Sequence, residues 1–279
     1  MAQTYVKGAT EVASYSIDWS DALGTATIST STWSCEAGIT QDSETETNTV
    51  ATIVLSAGTA GTTYTCTNTI VTSSSQTWVD TLYIVVPSAT MYNLFRDLRD
   101  DLGLGAATDD GQIFRKLEQA FQGAETYCSR KFEATTATRY YESDAVDGDY
   151  LNLDDDLISV TTLTNGDSDG TEIADTEYWL WPRNSGPPYY AIRLEANSAY
   201  SWEVDTDYFI SVAGSWGWAS TIPEDVQRAI IRWASYLYHQ KDAGVYDVSV
   251  FPESGVITTP QGIPRDVKIL LDPYRRTAG

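Results

Sequence analysis

The chain has a single histidine, His239, in the stretch "SWGWASTIPEDVQRAIIRWASYLYHQ" at residues 215–240. Nucleophilic catalysis needs a nucleophile and a base held as a pair. No serine, cysteine or carboxylate stands at a recognisable catalytic spacing from His239, so it reads as a packing or surface residue. The loop "NGDSDG" offers oxygens at Asn165, Asp167 and Asp169 before a glycine, as a calcium loop does at its start. Its twelfth position is Thr176 rather than a bidentate Glu, and its flanks alternate like strands, so it reads as a turn. "LDDDL" at 153–157 brings Asp154, Asp155 and Asp156 together, which could hold a cation but ordinarily marks a solvated edge. "LGLGAATDDG" lacks the lysine and the strand-to-helix context of a phosphate loop.

Cys35, Cys66 and Cys128 are too few and too scattered for a zinc site or a disulfide framework. Cys35 and Cys66 both lie in strand-like segments, where a bond between sheets is conceivable. Without an export signal in "MAQTYVKGATEVASYSIDW", two buried thiols are the preferred reading. A glycosidase would need two carboxylates across a cleft, which sequence does not display. No catalytic residue, cofactor site or metal site is expected, and the chain reads as a non-enzyme.

The elements that would position any site fall into two kinds. Up to Pro87 the sequence is rich in Thr, Ser, Val and Ala, and segments such as "TVATIVLS", "TTYTCTNTIVT" and "TLYIVV" alternate apolar and polar residues between turn clusters. In the second of these, Tyr64, Cys66 and Ile70 share a face, as in a strand with one side on a core. Residues 1–87 are expected to form a small β-sandwich. After Pro87 the period lengthens to that of a helix. Met91, Leu94, Phe95, Leu98 and Leu102 mark a helix over about 90–103, with Gly103 placed to end it. Ile113, Leu117, Ala120, Ala124 and Tyr127 mark a second over about 109–131, paired with the first as a hairpin. Strand patterns return over about 140–214. Pro223, Glu224 and Asp225 open a helix over about 223–241, and a last one covers about 264–272. The expected fold class is α+β: a β-sandwich, then a helical bundle with a small β insertion.

A net charge of −22 and a pI near 4.1 argue against a surface that grips nucleic acid. No apolar run is long enough to span a bilayer, so no membrane partner is expected.

The run "VAGSWGW…TIPEDVQRAIIRWASYLYHQKDA" resembles a motif of tailed-bacteriophage head–tail connector proteins, the neck adaptors beneath the portal. "MYNLFRDLRDDLGL" with "DDGQIFRKLEQAFQGAETYCSRKF" resembles their first helical pair, "LISVTTLTNGD…YWLWP" their central β segment and "GIPRDVKILLDPYRR" their closing helix. The resemblance spans about residues 88–279. "YSIDWSDAL…ISTSTWSCEAGIT" and "VLSAGTAGTTYTCTNTIVTSS" resemble an immunoglobulin-like module of phage structural proteins, with Trp33 and Tyr64 filling the sandwich.

The resemblance implies a virion protein, assembled in the bacterial host cytoplasm and placed at the head–tail connector. It implies a ring, commonly of twelve subunits, that joins the portal to the stopper or tail completion protein while DNA passes through its channel without sequence-specific binding. Residues 1–87 would decorate the ring or hold fibre or tail parts. The portal contact is expected in the closing segment, at Leu270, Leu271, Tyr274, Arg275 and Arg276, which a long preceding loop lets reach outward; the other reading is that Leu270 and Leu271 complete the subunit's own core. The rival functions are a tail-fibre adaptor or surface adhesin working through the immunoglobulin-like domain, and an acidic hydrolase.

Overall fold

A computed structural model describes residues 3–105, 109–166, 170–203, 210–243, 249–251, 256–258 and 262–276. The chain divides into two compact units, Met1–Ala120 with Ile231–Gly262, and Phe121–Ile230 with Ile263–Gly279. Helices and largely antiparallel sheets alternate along it, which is an α+β arrangement.

The first unit opens with β1 (Gln3–Val6), β2 (Ala13–Asp18), the one-turn helix α1 (Ser20–Leu23), β3 (Ile28–Cys35), β4 (Ile39–Glu46), β5 (Val50–Ala57), β6 (Thr62–Thr72) and β7 (Thr77–Val86). They form a four-stranded sheet in the order β1-β7-β6-β3 and a three-stranded sheet in the order β2-β5-β4. Among the described strands, only β1 and β7 run parallel. The period-two pattern accounts for the core, because every second residue of a strand meets the same face. Ala51, Ile53 and Leu55 of β5 and Tyr64, Cys66 and Ile70 of β6 are buried in one cluster with Trp19, Trp33, Leu82 and Ile84. Asn68 is buried among them, and its amide is satisfied: Trp19 Nε1 donates to Oδ1 at 3.1 Å, and Nδ2 donates to Ser31 Oγ at 2.8 Å.

Cys35 and Cys66 are not thiols. They are joined by a disulfide with Cα atoms 4.1 Å apart, which corrects the preferred reading from sequence. The reason is register: Cys35 of β3 stands directly opposite Cys66 of β6 within one sheet, not across two. Adjacent strands bring opposed Cβ atoms close, and the pairing of strands distant in sequence is invisible in either strand's own pattern.

Helix α2 (Ala89–Asp101) follows, capped by Ser88, whose Oγ accepts from Met91 N at 3.2 Å. It ends as expected at Gly103, whose φ of +66° suits glycine; Gly103 N donates to Asp100 O and Leu104 N to Arg99 O, the paired bonds that close a helix end. Helix α3 (Asp110–Cys128) turns back on it. Phe95 and Phe114 meet edge to face with centroids 6.1 Å apart, and Arg99 lies 3.5 Å from Asp110. Within this unit the hairpin is fastened to the first strands. Tyr92 OH donates to Glu11 at 2.8 Å, and Gly111 sits where a Cβ would come within 2.6 Å of Thr4 Cβ.

The second unit holds β8 (Thr135–Tyr141), β9 (Val146–Asp147), β10 (Tyr150–Asn165), β11 (Thr171–Glu172), β12 (Tyr178–Trp181), β13 (Tyr189–Leu194) and β14 (Ile210–Trp216). The main path of this antiparallel sheet is β12-β13-β10-β14-β8, with the short β9 and β11 pairing β10. The long β10 pairs β13 along its first half and β14 along its second, with register shifts where bulges bend it. Leu151, Leu153, Leu163, Ile192, Ile210, Val212 and Trp216 build the core of this sheet. Helix α4 (Glu224–Ala243) begins just after Pro223, whose carbonyl accepts from Gln227 N at 3.0 Å. A short hairpin of β15 (Ser249–Phe251) and β16 (Val256–Thr258) and the helix α5 (Arg265–Leu271) complete the order.

Candidate functional site

The aromatic and glycine run "VAGSWGW" ends β14 and turns toward α4. A Cβ at Gly214 would meet Ser159 O at 2.2 Å, so only glycine lets β14 pass the bulge in β10 at this point. Gly217 has a φ of +138° and donates its N–H to Asp156 O at 2.8 Å, while Trp218 N donates to Lys131 O at 2.8 Å. The turn therefore aims Trp216 into the core and sets Trp218 against Arg130, which pairs with the last carboxylate of "LDDDL".

Those carboxylates are held by arginines. Arg139 of β8 lies 3.3 Å from Asp154 and 2.8 Å from Asp155, with its guanidinium 4.2 Å from the centre of the Trp216 ring. Asp156 is buried and ion-paired with Arg130, whose guanidinium lies 4.6 Å from the Trp218 ring. Tyr141 OH donates to Asp154 at 2.7 Å; burial first, and that bond second, raise the phenol's pKa above its ordinary value. A cation site at "LDDDL" is therefore occupied by the chain's own guanidinium groups. Among the described residues no cluster of His, Cys, Asp or Glu could hold a metal ion.

The closing segment sits on the same constellation. Leu271 is fully buried, and its carbonyl accepts from Cys128 Sγ at 3.6 Å. Tyr274 meets Phe132 and Trp218 edge to face, with centroids 6.2 and 5.4 Å apart. Arg275 lies 5.2 Å from the Tyr127 ring, whose hydroxyl donates to Asp272 at 2.6 Å. Arg276 donates to Leu153 O at 2.8 Å and to Asp154 O, and its own N–H to Cys128 O at 2.8 Å. Leu270 is half-buried, and beside it Ile269 is 62% exposed. Of the five residues expected at a portal contact, Leu271, Tyr274 and Arg276 thus have seats within their own unit. Burial raises the Cys128 thiol to about 11.

A cleft of about 430 Å³ lies along the same region, lined by Gln122, Glu125, Thr126, Ser129, Arg130, Lys131 and Asp155. Its charges answer one another: Lys131 bridges Glu125 at 2.7 Å, Arg130 pairs with Asp156, and Asp155 with Arg139.

The other candidates do not line it. His239 is exposed on α4, 5.9 Å from the Tyr238 ring. Asn165 is buried, donating to Ser201 O and accepting from Glu203 N, both at 2.8 Å, so it is a staple rather than a ligand. Asp167 and Asp169 lie outside the described residues. What sequence reasoning missed is Arg130, Arg139 and Trp218, which only the fold brings to the acidic run.

Residues 7–85, which cover β2 to β7, match the family described as Gp77, podophage GP4 fiber-tail adaptor protein gp77. No curated protein matches the chain. Among solved structures, the chain is similar to a protein in the neck of an empty GTA particle computed with C6 symmetry, at 19% identity and a TM-score of 0.45 over 66% of this chain and 90% of the other. It is similar to one in the virion of a native gene transfer agent particle, at 20% and 0.45 over 68% and 90%. A third lies in the neck of the native GTA particle computed with C12 symmetry, at 18% and 0.44 over 70% and 94%. Likenesses this distant carry no inference of their own; the family match to residues 7–85 is the specific finding.

Proposed function

We propose that this chain is a structural, non-enzymatic adaptor of a tailed-phage virion, placed where neck and tail meet. The observation that carries the reading is the match of residues 7–85 to a family described as a podophage fiber-tail adaptor. In this reading residues 1–87 are an immunoglobulin-like sandwich that holds a fibre or tail part. The strand order supports it, as do Trp33 on β3 and Tyr64 near the start of β6, whose hydroxyl accepts from Thr59 N at 2.8 Å two residues before Cys66. The disulfide departs from that pattern, since it joins neighbouring strands of one sheet.

Residues 88–279 are read as the head–tail connector part, on the resemblance of their motifs. They would form a ring, taken as twelve subunits, between portal and stopper, with DNA passing through. The acidity suits such a channel, because carboxylates repel phosphate and do not hold DNA during ejection. With Leu271 and Tyr274 seated inside, a portal contact by the closing segment would use its outer side, Leu270, Arg275 and the exposed Ile269.

The test is a pull-down of the full chain against purified portal and tail-fibre proteins of its phage, followed by negative-stain imaging. Rings on the portal and fibre capture are expected. Binding to neither sinks the reading, and fibre capture without rings keeps only its first half.

A further inference from the structure

We propose that the outer face of β12, β13 and the start of β10 is a contact surface for an acidic face of a second copy of this chain, with Arg183 and Arg193 as its carboxylate-binding groups.

Strand alternation sets this face. Leu180, Ile192 and Leu151 turn to the core, so their neighbours Trp179, Trp181, Arg193 and Tyr150 share the opposite side. Trp179 and Trp181 are each 38% exposed, unusually open for tryptophans in a strand. Isolated exposed aromatics are ordinary. Here they are joined: Tyr150 and Trp181 meet edge to face at 6.3 Å, Arg193 lies 5.1 Å from the Tyr150 ring, and Arg183 lies 3.3 Å from the Trp179 ring centre. Clustered Trp, Tyr and Arg are the residues that dominate binding energy at protein interfaces.

The geometry also separates a protein partner from a sugar. A glycan platform needs open ring faces, and the Trp179 face is already covered by Arg183. A guanidinium stacked on a ring keeps its edge donors free for a carboxylate. Neither Arg183 nor Arg193 makes an ion pair with a described carboxylate, unlike Arg99, Arg130 and Arg139, and Arg193 Nε is buried without an acceptor. What sets these two apart is their place: both stack on the rings of one exposed aromatic cluster, in a chain with 39 acidic and 17 basic residues. Charge complementarity selects the occupant. A second copy offers acidic surface in excess, and copies at −22 each repel unless their contact is locally neutralised.

The inference rests on the ring reading above and is tested separately from it. Association of the full chain is followed by sedimentation velocity over a concentration series, for wild type and for the Arg183→Glu, Arg193→Glu double variant, with circular dichroism to check the fold. The wild type is expected to assemble, and the charge reversal to raise the midpoint concentration about tenfold or more. If that variant unfolds, Arg183→Gln takes its place, because its guanidinium lies over a partly exposed ring; a rise of about threefold is then expected. Assembly with an unchanged midpoint overturns the surface and leaves the ring reading standing. A wild type that stays monomeric throughout overturns both.

Discussion

Ending the chain at Asp272 removes Tyr274, Arg275 and Arg276, and the structure sets what that should cost. Tyr274 loses two edge-to-face contacts, with Phe132 and Trp218, worth about 0.5–1.5 kcal/mol each. Arg276 loses charge-assisted bonds to Leu153 O and Asp154 O; partial exposure of the side chain reduces these to about 1–2 kcal/mol together. The sum is about 2–5 kcal/mol. The assay is urea unfolding followed by tryptophan fluorescence, since Trp218 lines the seat. With a slope of about 2 kcal/mol/M the midpoint should fall by about 1–2.5 M. The decisive comparison is with a closing segment whose only role is to meet the portal, which would leave the midpoint where it was. A truncated chain that unfolds within about 0.3 M of the full one would refute the seat.

Two further outcomes test the chemistry of buried groups. Native protein should show no reactive thiol at pH 8, because Cys128 is buried with its pKa raised to about 11; denatured protein without reductant should show one thiol and reduced denatured protein all three, whereas three thiols without reductant would rule out the Cys35–Cys66 bond. Asp110 is buried, and desolvation above all raises its pKa despite Arg99 nearby. A raised carboxyl favours the fold when protonated, and that contribution is lost as pH rises through the folded pKa. Asp110→Asn should therefore raise the melting temperature at pH 7, with the gain shrinking toward pH 4; a gain that grows on acidification would reverse the argument.

Local structure was legible wherever one segment's own pattern decides it. The alternation in "TTYTCTNTIVT" gave the buried face of β6, and the stripe from Met91 with Ser88 before it and Gly103 after it gave α2 nearly to its ends. What stayed hidden depends on which distant segments meet. Cys35 faces Cys66 because β3 pairs β6, a register no single strand contains. Asp156 meets Arg130 from 26 residues earlier, and Arg276 reaches Asp154 across 122. The acidic run therefore looked like a solvated edge or a cation site, although the fold makes it an anchor. The exposed tryptophans of "YWLW" were read as part of a strand, and only the strand's place at the sheet edge shows their outward side.

The distribution of positive charge ties these observations together. The chain carries 17 basic residues against 39 acidic ones, so each arginine has a surplus of carboxylates to choose from. In the second unit Arg130, Arg139 and Arg276 all converge on residues 153–156, fixing the end of α3, the strand β8 and the closing segment to one bulged strand. Two of these lie over Trp218 and Trp216, and the Arg130–Asp156 pair is buried, which limits the water that would otherwise screen it. Added salt should then weaken this anchor less than it weakens the proposed contact between copies, where Arg183 lies over a partly exposed ring. The proposed assembly should therefore come apart in salt into folded subunits before the subunits themselves unfold, and subunits that unfold at the same salt concentration at which they separate would refute this ordering.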